Sequence, residues 1–217
     1  MVDELVARLA RLDTCAVSDA LDRLGLPGTV TGIARLSGTG RIAGRIVTVR
    51  LGPPGGRPST RHLGTAAIEA AAPGDVIVVD HQGRGDAAGW GGILSLAAQV
   101  RGVAGVIVDG ACRDVDESRD LGFPVFARSA VPLTARGRAV EKSFNEHIDV
   151  GGVDLEPGDF VIADGSGVVF IAASSVADVV TAAEEIAARE AAMAVEVRAG
   201  RAVSEVMGAS YESMLRR

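Results

Sequence analysis

The chain is poor in the residues from which chemistry is most easily read. Its 217 residues include two cysteines, three histidines, one lysine, one tryptophan and one tyrosine. Aromatic residues make up only 3%, so Ala, Val, Ile and Leu must fill the core. Cys15 and Cys112 form neither a metal-ligand spacing nor a disulfide framework. Such sparing use of cysteine fits a reduced, cytoplasmic setting. His62, His81 and His147 lack ligand spacing and read as structural or solvated. No Ser-His-Asp arrangement, P-loop or dinucleotide fingerprint occurs. Gly83-Arg84-Gly85 lacks the strand, Gly-rich turn and helix that a fingerprint needs. No apolar run approaches the ~20 residues of a membrane span. The acidic start Met1-Val2-Asp3-Glu4 lacks a signal peptide's basic-then-apolar pattern. The net charge is −6 with both signs mixed, and no basic stripe marks a nucleic-acid surface.

What is present reads as one α/β domain over 1–217. Helical spacing covers Asp3 to Leu12 and Ser18 to Leu24, with Thr14 or Ser18 as the second cap and Gly25 as the stop. Alternation predicts a strand over Arg41–Leu51, followed by a Pro/Gly loop to Ser59 and a short helix over Thr65–Ala72. Pro73-Gly74-Asp75 and Pro157-Gly158-Asp159 each feed an apolar strand. The second of these continues through Gly165-Ser166-Gly167 as a hairpin. Gly92–Val100 reads as a helix, Gly105–Val108 as a strand buried on both faces, and Phe123–Phe126 as a short strand. Asn145–Gly152 reads as strand and turn. Ser174-Ser175, with Asp178 in a capping box, opens a long helix to about Ala199. A last helix is expected over Val203–Leu215.

Two features point to chemistry. The first is Val106-Ile107-Val108-Asp109-Gly110-Ala111-Cys112-Arg113-Asp114. An apolar strand ends in an Asp-Gly turn that presents Arg beside Asp. Arg113 can grip a carboxylate with two parallel hydrogen bonds, and Asp114 can hold a hard divalent cation. The pair also reads as a surface ion pair on a loop. Upstream, Gly91-Gly92-Ile93-Leu94 opens a helix whose first amides could face an anion. Cys112 next to Arg113 points to the opposite face and reads as a packed residue. The second feature is Glu190. It falls in the apolar stripe of the long helix, whereas Glu184, Glu185 and Glu196 fall outside it. A carboxylate there is paired with an arginine, faces a subunit boundary, or serves a site.

Together with Arg101–Gly105 and Gly122-Phe123-Pro124-Val125-Phe126-Ala127, these motifs resemble the RraA-like family. That family holds regulators of ribonuclease activity A and 4-hydroxy-4-methyl-2-oxoglutarate aldolases. The likeness runs from Thr14–Leu21 to the Glu190 helix. It implies a swivelling β/β/α three-layer α/β domain with C-terminal helices, assembled as a homotrimer or hexamer. It also implies a pyruvate pocket. There Arg113 would bind substrate, Gly91, Gly92, Ile93 and Leu94 would supply backbone amides, and Asp114 would hold Mg²⁺ or Mn²⁺ largely through water. Glu190 of a neighbouring subunit would reach the metal waters. The aldolases carry an Asp twenty-one positions before the Arg, where this chain has Gly92. Aldol cleavage here would need another group, Asp86 among the candidates, and Gly92→Asp would be expected to raise it.

The expected function is therefore a metal-dependent, class II lyase. It would cleave 4-hydroxy-4-methyl-2-oxoglutarate-type 2-oxo acids to pyruvate and could decarboxylate oxaloacetate. Lys142 lies far from the motif, which disfavours a Schiff-base aldolase. The alternative is a non-catalytic regulator whose acidic surface docks on a ribonuclease or another basic partner. Methyl transfer from S-adenosylmethionine is rejected, because no Gly-rich nucleotide loop follows a first strand. Neither nucleic acid nor membrane is an expected partner.

Overall fold

Two aspartates open the first two helices. In this computed structural model, which describes residues 3–55 and 61–208, the Asp3 carboxylate accepts from the Leu5 amide and starts α1 (Glu4–Leu9). Asp13 accepts from the Ala16 amide and starts α2 (Thr14–Leu24). The expected caps have other partners. Thr14 donates to Asp164 through both amide and hydroxyl, and Ser18 pairs with Thr29. Gly25 ends α2 in the left-handed region, φ +67°, as its sequence position predicts.

Short strands β1 (Thr29–Val30) and β2 (Ala34–Ser37), invisible to periodicity, precede β3 (Ile42–Gly52). Then come α3 (Thr65–Ala70), β4 (Val76–Ala88), α4 (Gly92–Val100), β5 (Gly105–Cys112), α5 (Val115–Asp120) and β6 (Val125–Ala130). Next are β7 (Val140–Phe144), also unforeseen, the hairpin β8 (Ile148–Val150) and β9 (Val153–Leu155), and the hairpin β10 (Phe160–Ala163) and β11 (Val168–Ile171). The chain continues with α6 (Val176–Arg198) and α7 (Val203–Val206). The remainder of the expected last helix, 209–215, and of the expected loop, 56–59, lies outside the described residues.

Nine strands form one mixed sheet in the order β1-β11-β10-β3-β4-β5-β6-β2, with β7 also on β3, and β8 and β9 pair as a separate two-stranded sheet. Strands β3 to β6 run parallel and the rest pair antiparallel. Side-chain alternation sorts the core into layers. Val47, Val49, Ile77, Val79, Val106 and Val108 face α3 and α4. Their alternates Ile46, Val76, Val78 and Ile107 face inward, against Val161, Phe170 and the β8–β9 hairpin. Phe160, Ile162, Val169 and Ile171 turn outward under α1, α2 and α6. This is the expected β/β/α arrangement, and it explains why β5 is buried on both faces. Each fully buried Val or Ile contributes about 1.5–3 kcal/mol to folding.

Two local expectations are corrected. Asp109-Gly110 is not a turn, because β5 continues to Cys112 through a register shift and Asp109 pairs with Arg128. Pairing with Asp80 and Arg84 of β4 overrides the turn tendency of the dipeptide. Ser175 stands at the start of α6, but its hydroxyl makes no capping bond. Its amide donates to Ala172 O, so the Asp178 capping box does not form. Gly200 does end the helix, at φ +88°.

His81 is fully buried on β4. Its Nε2 donates to Ala87 O at 2.8 Å while Nδ1 has no partner. Burial pushes its pKa below the ordinary 6.5. The folded state therefore refuses a proton that the unfolded chain accepts. Its stabilisation is complete above pH 6.5 and is lost as the pH falls below it. Urea unfolding at pH 7.5 and 5.5 should show wild type losing stability relative to His81→Gln. The limit is about 1.4 kcal/mol per pH unit, the value for one proton. Parallel pH profiles for the two proteins would contradict a neutral buried imidazole.

Candidate active site

Parallel strands β4 and β5 end at the same edge, so the segments leaving them run side by side. Gly89 N–H donates to Ala111 O at 2.7 Å, and Arg113 N–H to Trp90 O at 3.0 Å. The Gly89–Gly92 segment entering α4 thus lies against Ala111–Asp114 entering α5. Two glycines keep this contact close. A Cβ on Gly91 would stand 2.8 Å from Asp114 Oδ2, and one on Gly92 would overlap the Glu117 carboxylate.

Asp114 holds the two turns together from a left-handed conformation, φ +55°, ψ +42°. Its Oδ2 accepts from the Gly92 amide and from Arg113 Nε, each at 3.1 Å. Beneath it, Trp90 Nε1 donates to Ser95 Oγ at 3.0 Å, and the Ser95 and Ser118 hydroxyls lie 2.9 Å apart. Ser118 Oγ donates to Asp114 O at 3.3 Å. Both serines are buried, so a satisfied polar chain links α4 to α5 under the site.

These turns floor a cleft of about 860 Å³. It gathers six of the sequence-predicted residues: Gly91, Gly92, Ile93, Leu94, Arg113 and Asp114. The Ile93 side chain is 77% exposed, so this turn offers backbone rather than side chain. The Gly92 amide is already taken by Asp114, while those of Ile93 and Leu94 have no acceptor within their helix. Glu190 is not in the cleft. It lies half-buried on α6 near Asp13 and Asp19, where burial first, and then those two charges, push its carboxyl above the usual range. Asp86 is excluded as a replacement carboxylate. It is exposed, holds Arg84 through two 2.8 Å bonds, and does not line the cleft.

Three residues were missed by sequence reasoning. Glu117 places its carboxylate where a Gly92 side chain would lie. Its signal was the three-residue step from Asp114, which sets both on one side of a helical turn. His62 and Arg136 line the far wall. His62 Nδ1 donates to Leu63 O at 3.0 Å, leaving Nε2 for the cleft or solvent. Cys112 is buried under the floor, and burial pushes its thiol up to about 11, so it is a packing residue as expected. A smaller cavity of about 430 Å³ lies among Asp80, Gln82, Asp109, Arg128 and Asp149. Its buried carboxylates are engaged, Asp80 with Arg50 at 3.6 Å and Asp109 with Arg128. The Arg113 cleft is therefore the better candidate.

Comparison with known proteins places the chain in a family. The description of the RraA-like family, Aldolase/RraA, matches residues 14–170. A Halalkalibacterium halodurans protein named "Putative 4-hydroxy-4-methyl-2-oxoglutarate aldolase" is 32% identical over 209 residues, covering 94% of this chain and 95% of that protein. Protein DlpA of Legionella pneumophila is 30% identical over 167 residues, 77% of this chain, and the match spans only 27% of DlpA. The crystal structure of Streptomyces coelicolor RraAS2 is titled an unusual member of the RNase ES inhibitor RraA protein family. It superposes with a TM-score of 0.79 at 28% identity, covering 88% of this chain and 95% of RraAS2. With that match over most of its length, and with the β/β/α layers and the paired turns in place, the chain belongs to the RraA-like family.

Proposed function

We propose that the chain is a divalent-metal-dependent lyase releasing pyruvate from 4-hydroxy-4-methyl-2-oxoglutarate-type acids, with oxaloacetate decarboxylation at the same site. The observation that carries this reading is Arg113 beside Asp114, with the Glu117 carboxylate over Gly92. Two carboxylates suit Mg²⁺ or Mn²⁺, hard ions that keep several waters and take one or two protein carboxylates. Among the described residues no group of three or more His, Cys, Asp and Glu side chains forms a fuller cage. Asp114 and Glu117 would hold the ion, which when bound supplies Lewis-acid polarisation of the substrate's oxygens.

The chain's own groups do the rest. Arg113 Nε is engaged by Asp114, which leaves both Nη groups as a two-pronged edge for the pyruvyl carboxylate. The Ile93 and Leu94 amides add positive partial charge at the start of α4. Both stabilise negative charge as the C–C bond breaks. Lys142 packs near Gly52, outside the cleft, which supports a mechanism without a Schiff base. We assign proton removal from the 4-hydroxyl to Glu190 of a second copy, directly or through water. Its raised pKa suits a base. The exposed stripe Ile93, Leu96 and Val100 on α4, bordering the cleft, offers a face for that copy. The net charge of −6 and the likeness to RraAS2 support a second reading, a ribonuclease-type regulator docking on a basic segment.

Purified protein given 4-hydroxy-4-methyl-2-oxoglutarate or oxaloacetate should release pyruvate only with a divalent ion. Asp114→Ala and Arg113→Lys should each fall about a hundredfold or more. Undiminished turnover in excess chelator would sink the metal mechanism and favour the regulator.

Glu117→Ala should weaken Mn²⁺ binding, read by calorimetry, by about tenfold. The gain expected from Gly92→Asp alone is withdrawn, because its side chain meets Glu117. The variant should instead lose activity, and Gly92→Asp with Glu117→Ala should recover it. An equal loss in the double variant would show that the two carboxylates are not interchangeable.

Light scattering should report multiples of three chains. A monomer at micromolar concentration would leave Glu190 without a site to complete.

A further inference from the structure

The pyruvyl end occupies only part of the cleft. A three-carbon acid held at Arg113 and the start of α4 leaves free most of a volume of about 860 Å³. Another part of its wall is built by Thr134, Ala135, Arg136, Gly137, Ala139 and His62, in the loop that follows β6 and the segment before α3. That loop is tied to the strands that position Arg113. Val131 N–H donates to Cys112 O at 2.9 Å, and Ala88 N–H to Leu133 O at 3.0 Å. The Arg138 and Ala139 amides both donate to Ala135 O at 2.8 Å, and Arg84 Nη1 donates to Arg138 O at 3.0 Å.

This fixed turn presents Arg136 to the cleft. Its guanidinium makes no hydrogen bond or ion pair with any described residue, whereas the arginines around it are engaged. Arg84 holds Asp86, Arg128 holds Asp109, and Arg138 donates to Thr134 O. An exposed guanidinium on an anchored turn, across a cleft that already holds an anion grip, is a ready partner for a second anion. We propose that Arg136 binds the distal carboxylate of the substrate and makes the site selective for 2-oxo dicarboxylates. This rests on the lyase reading for the role of Arg113.

The scissile bond would then lie between two anchored ends. In aldol cleavage of 4-hydroxy-4-methyl-2-oxoglutarate, the C3–C4 bond breaks as the hydroxyl proton leaves. The electron pair passes into an enolate that takes a proton at C3, and two pyruvates result. The distal carboxylate keeps its charge throughout, so Arg136 can hold it to the end. In oxaloacetate decarboxylation that carboxylate departs as neutral CO₂. A grip on its charge there favours the ground state and gives no help to kcat.

The test compares wild type, Arg136→Gln and Arg136→Lys with Mg²⁺ present. Calorimetry measures binding of 2-oxoglutarate, an unreactive dicarboxylate, and of pyruvate. Arg136 is exposed, so the variants leave the core untouched, and circular dichroism checks this. We expect Arg136→Gln to weaken 2-oxoglutarate by about tenfold or more and pyruvate by less than about twofold, with Arg136→Lys between. The KM for the aldol substrate should rise in step, while kcat for oxaloacetate should not fall. Unchanged 2-oxoglutarate affinity in Arg136→Gln, or equal loss for both acids, overturns the assignment. A wild type that discriminates the two acids through Arg136 yet releases no pyruvate overturns the lyase reading alone. A wild type that binds neither acid overturns both.

Discussion

The Asp114 carboxylate locks together two turns that the Gly89–Ala111 and Arg113–Trp90 backbone bonds lay side by side. It accepts from the Gly92 amide and from Arg113 Nε, and so fixes the start of α4 against the start of α5. One charge satisfies an orphan helix donor and points the arginine into the cleft. The left-handed backbone at Asp114 is tolerated because Trp90, Ser95 and Ser118 hold the turn from below. If this clamp is lost, the cleft keeps its walls but not its floor.

The clamp in turn depends on the sheet. Because β4 and β5 are parallel and buried on both faces, their ends are set by core packing rather than by the loops. Ligand sites in open α/β sheets gather at such carboxyl ends. The two faces then divide the labour. Asp80 and Asp109 point to the β side and are engaged by Arg50 and Arg128, whereas Asp114 and Glu117 stand over the α side. Asp109, Asp114 and Glu117, close in sequence, thus end in two different electrostatic settings.

On the proposed lyase reading, Glu117 keeps the site's chemistry at a different position in the chain. A side chain at 92 and one at 117 approach the same place from opposite turns, and the Glu117 carboxylate must turn aside for any Cβ on Gly92. The negative charge beside Asp114 is then a property of the cavity rather than of a sequence position. Glu190 is the opposite case. It stands half-buried beside Asp13 and Asp19, away from the cleft, and the proposed reading gives it a role only across a boundary between copies.

The sequence by itself determined the long elements and the pair at the heart of the cleft. Alternation in Arg41–Leu51, the double-faced apolar run of Gly105–Val108 and the stripe of Val176–Ile186 are local patterns, and local patterns survive folding. Arg113 and Asp114 were legible because adjacency put them at one strand end, and Gly91–Gly92 because glycine marks a close approach. What the tertiary structure alone decided concerns pairing at a distance. Strands β1, β2 and β7 exist because β11, β6 and β3 offer edges, not because their own residues alternate. The Asp109-Gly110 turn became strand because β4 pairs with both residues. Caps went to Asp13 rather than Thr14 because Asp164, 150 residues away, claimed the threonine. Glu117 came beside Gly92 through a three-residue helical step, and Arg136 joined the cleft through an anchored loop. Their neighbours in space are remote in sequence, and no periodicity records them.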